Sequence, residues 1–201
     1  MAPASGFRFT YPARRSSCDG EGNEPSTETD QEAPMWTLGA FNTAAPEAAV
    51  EMLTACCASR AWAEKLASGR PYGTVAALRA AALAGFDELD ESELAVAHAA
   101  HPPIGEPKPA GAGTEAAWSR GEQSRAMTAD EAVRAELAEV NAAYERRFGR
   151  VFLICATGLT GEEILAEAKR RLGSDDRAER RESVAELRKI VALRLEKAVR
   201  P

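Results

Sequence analysis

The sequence predicts an all-α fold, a single-domain helical bundle over residues 35–201 behind a disordered tail over residues 1–34. Three observations carry that expectation. Alanine makes up roughly a fifth of the chain and aromatic residues only 6%, and alanine has the highest helix propensity because it loses no side-chain entropy on entering a helix. From Pro46 onward, apolar residues recur at spacings of three and four, the repeat of a helix with one buried face. Residues 1–34, by contrast, are rich in Ser, Pro, Glu, Gly and Asp with almost no apolar periodicity. Such a segment cannot bury enough surface to offset its ordering entropy. Met35 opens the more folded-looking sequence, and a start at Met35 is an alternative under which the tail is an extension.

Pro46 suits the first turn of a helix running to about Cys57, with Ala49, Val50, Leu53 and Cys57 on one stripe. Ser59 can cap a short helix carrying Trp62 and Leu66, which Gly69 and Pro71 end. Thr74 precedes a further helix with Val75, Leu78, Leu83 and Phe86 that stops near Asp87. Ser92, Glu93, Leu94 and Val96 read as one more, ending just before Pro102. Residues 102–113 are heavy in Pro and Gly, hence a turn and a loop, and helical character resumes around Thr114 to Gln123. Asp130 starts the clearest helix of the middle, with Val133, Leu137, Val140 and Tyr144 as a narrow stripe and Gly149 at the C-cap position. Val151 to Cys155 is an apolar run that suits an extended, buried path. Thr160 caps a helix through Ile164, Leu165 and Leu172, with Glu162 and Glu163 at its positive end. The last helix covers about Asp176 to Val199, and no internal repeat is present.

Charge and cysteine usage narrow the functional classes. Twenty-five Lys and Arg against 31 Asp and Glu give a formal charge of −6 and a pI near 5.2, which speaks against a nucleic-acid partner. No stretch approaches the run of about 18 apolar residues that a membrane span needs, so no membrane partner is expected. Arg14-Arg15 is followed by Ser16, Ser17, Cys18, Asp19 and Gly20 where an export signal needs an apolar region. Cys18, Cys56, Cys57 and Cys155 show no ligand spacing, and with two histidines in the chain no metal site is expected. Cys56 and Cys57 read as small core residues. These features together point to the cytosol.

Three places carry candidate chemistry. His101 precedes Pro102 and Pro103, and a residue before proline is pushed out of helical geometry. Its imidazole therefore sits on a fixed corner at a helix exit, where it either faces a pocket or bonds a nearby backbone carbonyl. His98, on the preceding helix, reads as a surface residue. Ser119, Glu122 and Gln123 share one face of a helical turn, so a hydroxyl, a carboxylate and an amide can converge there, and Gly121 permits close approach of a ligand to the backbone. Glu122 alone would be an ordinary solvated charge. On the last helix Leu187, Ile190, Val191 and Ala198 share a face, and Arg194 falls in its middle, while Arg188, Lys189 and Lys197 lie off it. A guanidinium on an apolar face must find partners. It either pairs with an internal carboxylate or binds an anionic or carbonyl-rich ligand through its planar fork. An imidazole, a carboxylate, an arginine and amides, with no metal motif, phosphate loop or nucleotide fingerprint, could decarboxylate a small polar acid without a cofactor.

Ordered motifs then carry a resemblance. His101-Pro102-Pro103-Ile104-Gly105-Glu106, Ser119-Arg120-Gly121-Glu122-Gln123, Asn141 through Gly149, Phe152 to Ala156 and Lys189 through Leu195 resemble the motifs of the OHCU (2-oxo-4-hydroxy-4-carboxy-5-ureidoimidazoline) decarboxylase family of the urate-to-allantoin pathway. Leu38 to Asn42 resembles the family's opening turn, and the likeness covers about residues 36–199. It implies an all-α bundle of the OHCU decarboxylase type, a homodimer, no cofactor and a small ureidoimidazoline substrate. The family's active histidine falls on His101 and its partner glutamate on Glu122. Substrate-contacting positions fall on Pro102, Ser119, Arg120, Gly121, Gln123 and Arg194, and Ile154, Cys155, Ala156, Thr157 and Gly158 match a loop offering backbone contacts. Two positions depart from the pattern: Pro103 stands where Arg is common, and Arg125 where a small residue often follows the Glu-Gln pair. Some relatives are fused to hydroxyisourate hydrolase, and this chain ends at Pro201, too early for such a domain. The rival expectations are a non-catalytic helical interaction module with Arg194 in a structural ion pair, and a small DNA-binding regulator, which the charge and the lack of a basic recognition helix disfavour.

Overall fold

The described part of the chain opens, in this computed structural model, on a two-residue strand and returns to it at its far end. The structure describes residues 36–105, 118, 121, 122 and 129–201; the expectations for residues 1–34, and for Ser119, Arg120, Gln123 and Arg125, lie outside them. Strand β1 (Trp36–Thr37) pairs in parallel with β2 (Val199–Arg200), Trp36 against Val199. Helix α1 (Leu38–Thr43) follows at once because Thr37 Oγ1 accepts the Ala40 N–H at 3.1 Å.

The helix expected around Thr114 to Gln123 lies mostly outside the described residues; the other expected helices form, all but one on the expected caps. Helix α2 (Pro46–Cys57) starts on Pro46, α3 (Arg60–Ser68) is capped by Ser59 and α4 (Val75–Asp87) by Thr74. Helix α5 (Glu91–Ala99) begins a residue before Ser92, because Asp90 is the better cap. Its carboxylate accepts the Ser92 and Glu93 N–H groups at 2.8 and 2.9 Å, and Glu93 returns a carboxylate oxygen to the Asp90 N–H. Helix α6 (Glu131–Phe148) ends on Gly149 at φ 66°, a left-handed conformation that glycine takes without steric cost. Helix α7 (Gly161–Leu172) carries a Thr160–Glu163 capping box, and α8 (Asp176–Ala198) is capped by Asp175. Among the described residues no helix is long and apolar enough to cross a membrane.

Packing divides the interior into two apolar clusters. The larger gathers Phe41, Leu53, Trp62, Leu78 and Phe86 from α1–α4 around Leu187, Val191 and Leu195 of α8. Cys56 and Cys57 are buried in it, as expected of small core residues. The smaller joins α6 and α7 through Leu137, Tyr144, Ile164 and Ala168. The connection between α6 and α7 runs along the seam without joining a sheet. Its side chains alternate: Phe152, Ile154 and Ala156 belong to the smaller cluster, Leu153 and Cys155 to the larger. That period of two is what an extended chain between two apolar bodies requires. His98 corrects the surface reading: it is half-buried and its Nε2 lies 2.9 Å from the buried Ser183 hydroxyl of α8. It faces inward because α5 packs with that side toward α8, a contact that no spacing within α5 announces.

Candidate active site

At the seam lies a cavity with about 410 Å³ of empty space, its open mouth included. Its imidazole, carboxylate and guanidinium come from three separate stretches of chain: His101 after α5, Glu122 in a helical turn, and Arg194 on α8. Pro102, Ile104, Ile190 and Leu193 add apolar wall, and Phe152 through Thr157 form one side. Of the residues picked out in the sequence, His101, Pro102, Glu122, Ile154, Cys155, Ala156, Thr157 and Arg194 meet here. Gly121 and Gly158 adjoin lining residues along the chain but stand outside the lining itself.

His101 is 6% exposed, and its Nδ1 lies 2.9 Å from the Ala97 carbonyl one turn back. Only an N–H can bond a carbonyl oxygen, so Nδ1 carries the proton and Nε2 is the basic nitrogen. The two sequence readings of His101 therefore hold together: it bonds a backbone carbonyl and also faces a cavity. At Nδ1 the ring is oriented by the Ala97 carbonyl. The reason is local: the turn into Pro102 brings the ring back over the end of α5.

Arg194 pairs with an internal carboxylate and also lines the cavity. It is 2% exposed, and its Nε and Nη2 donate to the two oxygens of Glu122 at 3.3 and 3.1 Å. This fork-to-fork contact fixes the guanidinium plane against the cavity. Lys197 adds a second cation at 3.4 Å from Glu122 Oε1, reaching inward although its Cα lies off the buried face. Among the described residues, Arg194 and Lys197 thus set two cations against the Glu122 carboxylate. Burial pushes the Cys56 and Cys57 thiols up to about 12, so neither is a thiolate nucleophile at neutral pH. Burial first, and then the Glu186 carboxylate, also raise the Cys155 thiol. Among the described residues no three His, Cys, Asp or Glu side chains are placed to hold a metal ion.

Behind the cavity wall stands a network that sequence reasoning missed. Arg171 and Glu179 are both fully buried, with Arg171 Nε 2.9 Å from Glu179 Oε2 and Nη2 2.5 Å from Oε1. The Tyr144 hydroxyl donates to the same Oε1, and burial with that carboxylate pushes the phenol well above its usual range. The guanidinium also lies 4.8 Å from the Phe152 ring centre and donates to the Leu153 carbonyl at 2.8 Å. The signal was available: Arg171 follows Ile164 by seven residues on the buried face of α7, and Glu179 and Ser183 extend the face of α8 that holds Leu187 and Arg194.

Comparison with known proteins follows the same outline. A family model described as OHCU decarboxylase matches residues 42–196. The uric acid degradation bifunctional protein TTL of Arabidopsis thaliana is 33% identical over 144 residues, 71% of this chain and 44% of that protein. This chain thus spans less than half the length of the Arabidopsis relative. The 2-oxo-4-hydroxy-4-carboxy-5-ureidoimidazoline decarboxylase of Amia calva is 36% identical over 132 residues, 64% of this chain and 74% of that one. A crystal structure of OHCU decarboxylase in the presence of (S)-allantoin superposes with a TM-score of 0.63 at 30% identity, covering 73% of this chain and 96% of its own. A structure of (S)-allantoin synthase, with a TM-score of 0.61 at 16% identity over 81% of this chain and 54% of its own, shares the fold. The ordered motifs, the helical architecture and a family model spanning residues 42–196 agree: the chain belongs to the OHCU decarboxylase family.

Proposed function

We propose that the chain decarboxylates 2-oxo-4-hydroxy-4-carboxy-5-ureidoimidazoline to (S)-allantoin in urate degradation, without a cofactor. The observation that carries this reading is the convergence of His101, Glu122 and Arg194 on one cavity. In the substrate, the ring carbon that loses CO2 also bears a hydroxyl, and the adjacent C=N accepts the electron pair released from the C–CO2 bond. His101, with Nδ1 held by Ala97 and assisted by Glu122 in the same cavity, presents Nε2 as a base to the hydroxyl and takes its proton as the product carbonyl forms. Arg194, fixed by Glu122, bonds the polar oxygens of the substrate and holds the departing carboxylate in line with the π system. Proton delivery to one face of the neighbouring carbon sets the configuration. Ser119, Arg120, Gly121, Gln123 and the 154–158 segment complete the substrate contacts on the family pattern. One backbone donor of that segment is excluded, because the Cys155 N–H is already given to Glu186 at 2.9 Å.

The test generates the unstable substrate from urate in situ and follows optical activity. Faster loss of substrate than in the blank, with an enantiomeric excess, supports the enzyme; racemic product at the blank rate supports a non-catalytic interaction module. A homodimer, on the family resemblance, and a cytosolic site of action, on the cysteine usage, complete the proposal, and sedimentation of the purified protein tests the first.

A further inference from the structure

The wall formed by residues 151–156 has no sheet partner, and side chains satisfy two of its backbone groups. Two charged residues do this, two positions apart. Arg171 donates to the Leu153 carbonyl at 2.8 Å, and Glu186 Oε2 accepts the Cys155 N–H at 2.9 Å. Glu186 has a side chain only 14% exposed, and Lys189 Nζ braces its other oxygen at 2.5 Å. A charge-assisted bond to backbone is about twice as strong as a neutral one. Glu186 lies eight residues before Arg194 on α8, hence about 12 Å along one rigid helix. The same helix therefore holds the cationic side of the cavity and, through Glu186, the wall that faces it.

We propose that Glu186 is a positioning residue of the decarboxylation: by clamping the Cys155 amide to α8, it sets the spacing between the 154–157 wall and Arg194 in which the substrate is aligned. The inference rests on the decarboxylase reading above. Its chemistry needs an acceptor at a fixed reach, and the negative charge is secondary. E186Q keeps the acceptor, E186D draws it back by one methylene and E186A removes it. Misplacement by about 1 Å costs up to about 100-fold in rate.

The experiment measures kcat, KM and enantiomeric excess for wild type, E186Q, E186D and E186A, with folding checked by circular dichroism. The expected result is kcat within about threefold of wild type for E186Q, and a loss of about tenfold or more for E186D and E186A at an unchanged helical spectrum. If E186A does not fold, the contrast between E186Q and E186D decides. Equal activity in all variants overturns the proposal, and so does a loss in E186Q that equals or exceeds the loss in E186D, because E186Q keeps the reach of the acceptor and loses only the charge. Wild-type protein that does not outpace the blank overturns the decarboxylase reading instead.

Discussion

Glu179→Gln isolates the buried ion pair behind the cavity wall. The substitution conserves volume and leaves one oxygen to accept from Tyr144, but it turns an amide NH2 toward a guanidinium that is itself a donor. Both partners are 0% exposed, so neither water nor salt screens the loss. Removing one member of a buried pair costs about 3–5 kcal/mol, because the other charge stays buried and uncompensated. For a chain of this length each kcal/mol lowers Tm by about 2–4 °C, giving a fall of roughly 6–20 °C. Arg60→Ala is the control: it breaks the Arg60–Glu64 pair, whose side chains are 77% and 53% exposed, and such pairs contribute less than about 1 kcal/mol. Thermal unfolding followed at 222 nm reads both. A fall in Tm for Glu179→Gln no larger than for Arg60→Ala would refute the reasoning.

Two further outcomes follow from the same geometry. Burial first, with Arg150 and Arg171 nearby, lowers His98 to about 4. Between pH 6.5 and 4 the unfolded chain thus binds a proton that the folded chain refuses, and the stability present above pH 6.5 is lost as pH falls through this window. Relative to His98→Gln, urea denaturation of the wild type should show a loss of at most about 2 kcal/mol between pH 7 and pH 5, and a pH-independent difference would contradict the assignment. Arg194→Lys keeps the charge but loses the planar fork on Glu122. The loss of one charged hydrogen bond, about 1.5–3 kcal/mol, predicts a fall in kcat/KM of about 10–150-fold, and wild-type kinetics would remove Arg194 from substrate alignment.

Much of the fold was legible because caps and periodicity are local. Ser59, Thr74, Thr160 and Gly149 each act within one turn of their own position, and each stands where the sequence placed it. Arg194 was legible for a related reason, since its anomaly is visible within one helix. What stayed hidden depends on contacts between distant segments. Glu122 is 72 residues from its Arg194 partner, and nothing near either names the other. His98 is turned inward by Ser183, 85 residues away, and the β1–β2 pair joins the two ends of the described chain. The 151–156 run could be read as extended and buried, but its two clamps come from α7 and α8. Lys197 escaped for another reason: a long flexible side chain can reach a partner that its position on the helix does not face.

The central claim is that His101 Nε2 is the base that turns substrate into one enantiomer of allantoin. The most direct measurement is a circular-dichroism progress curve of product formed from urate in situ, with wild type and His101→Asn at equal concentration. Asparagine can keep a bond to the Ala97 carbonyl but carries no basic nitrogen. The account predicts the circular-dichroism signal of (S)-allantoin with the wild type, and a rate about 10²–10⁴ lower with the variant at an unchanged far-ultraviolet spectrum. Wild-type rates and enantiomeric excess in His101→Asn would contradict it.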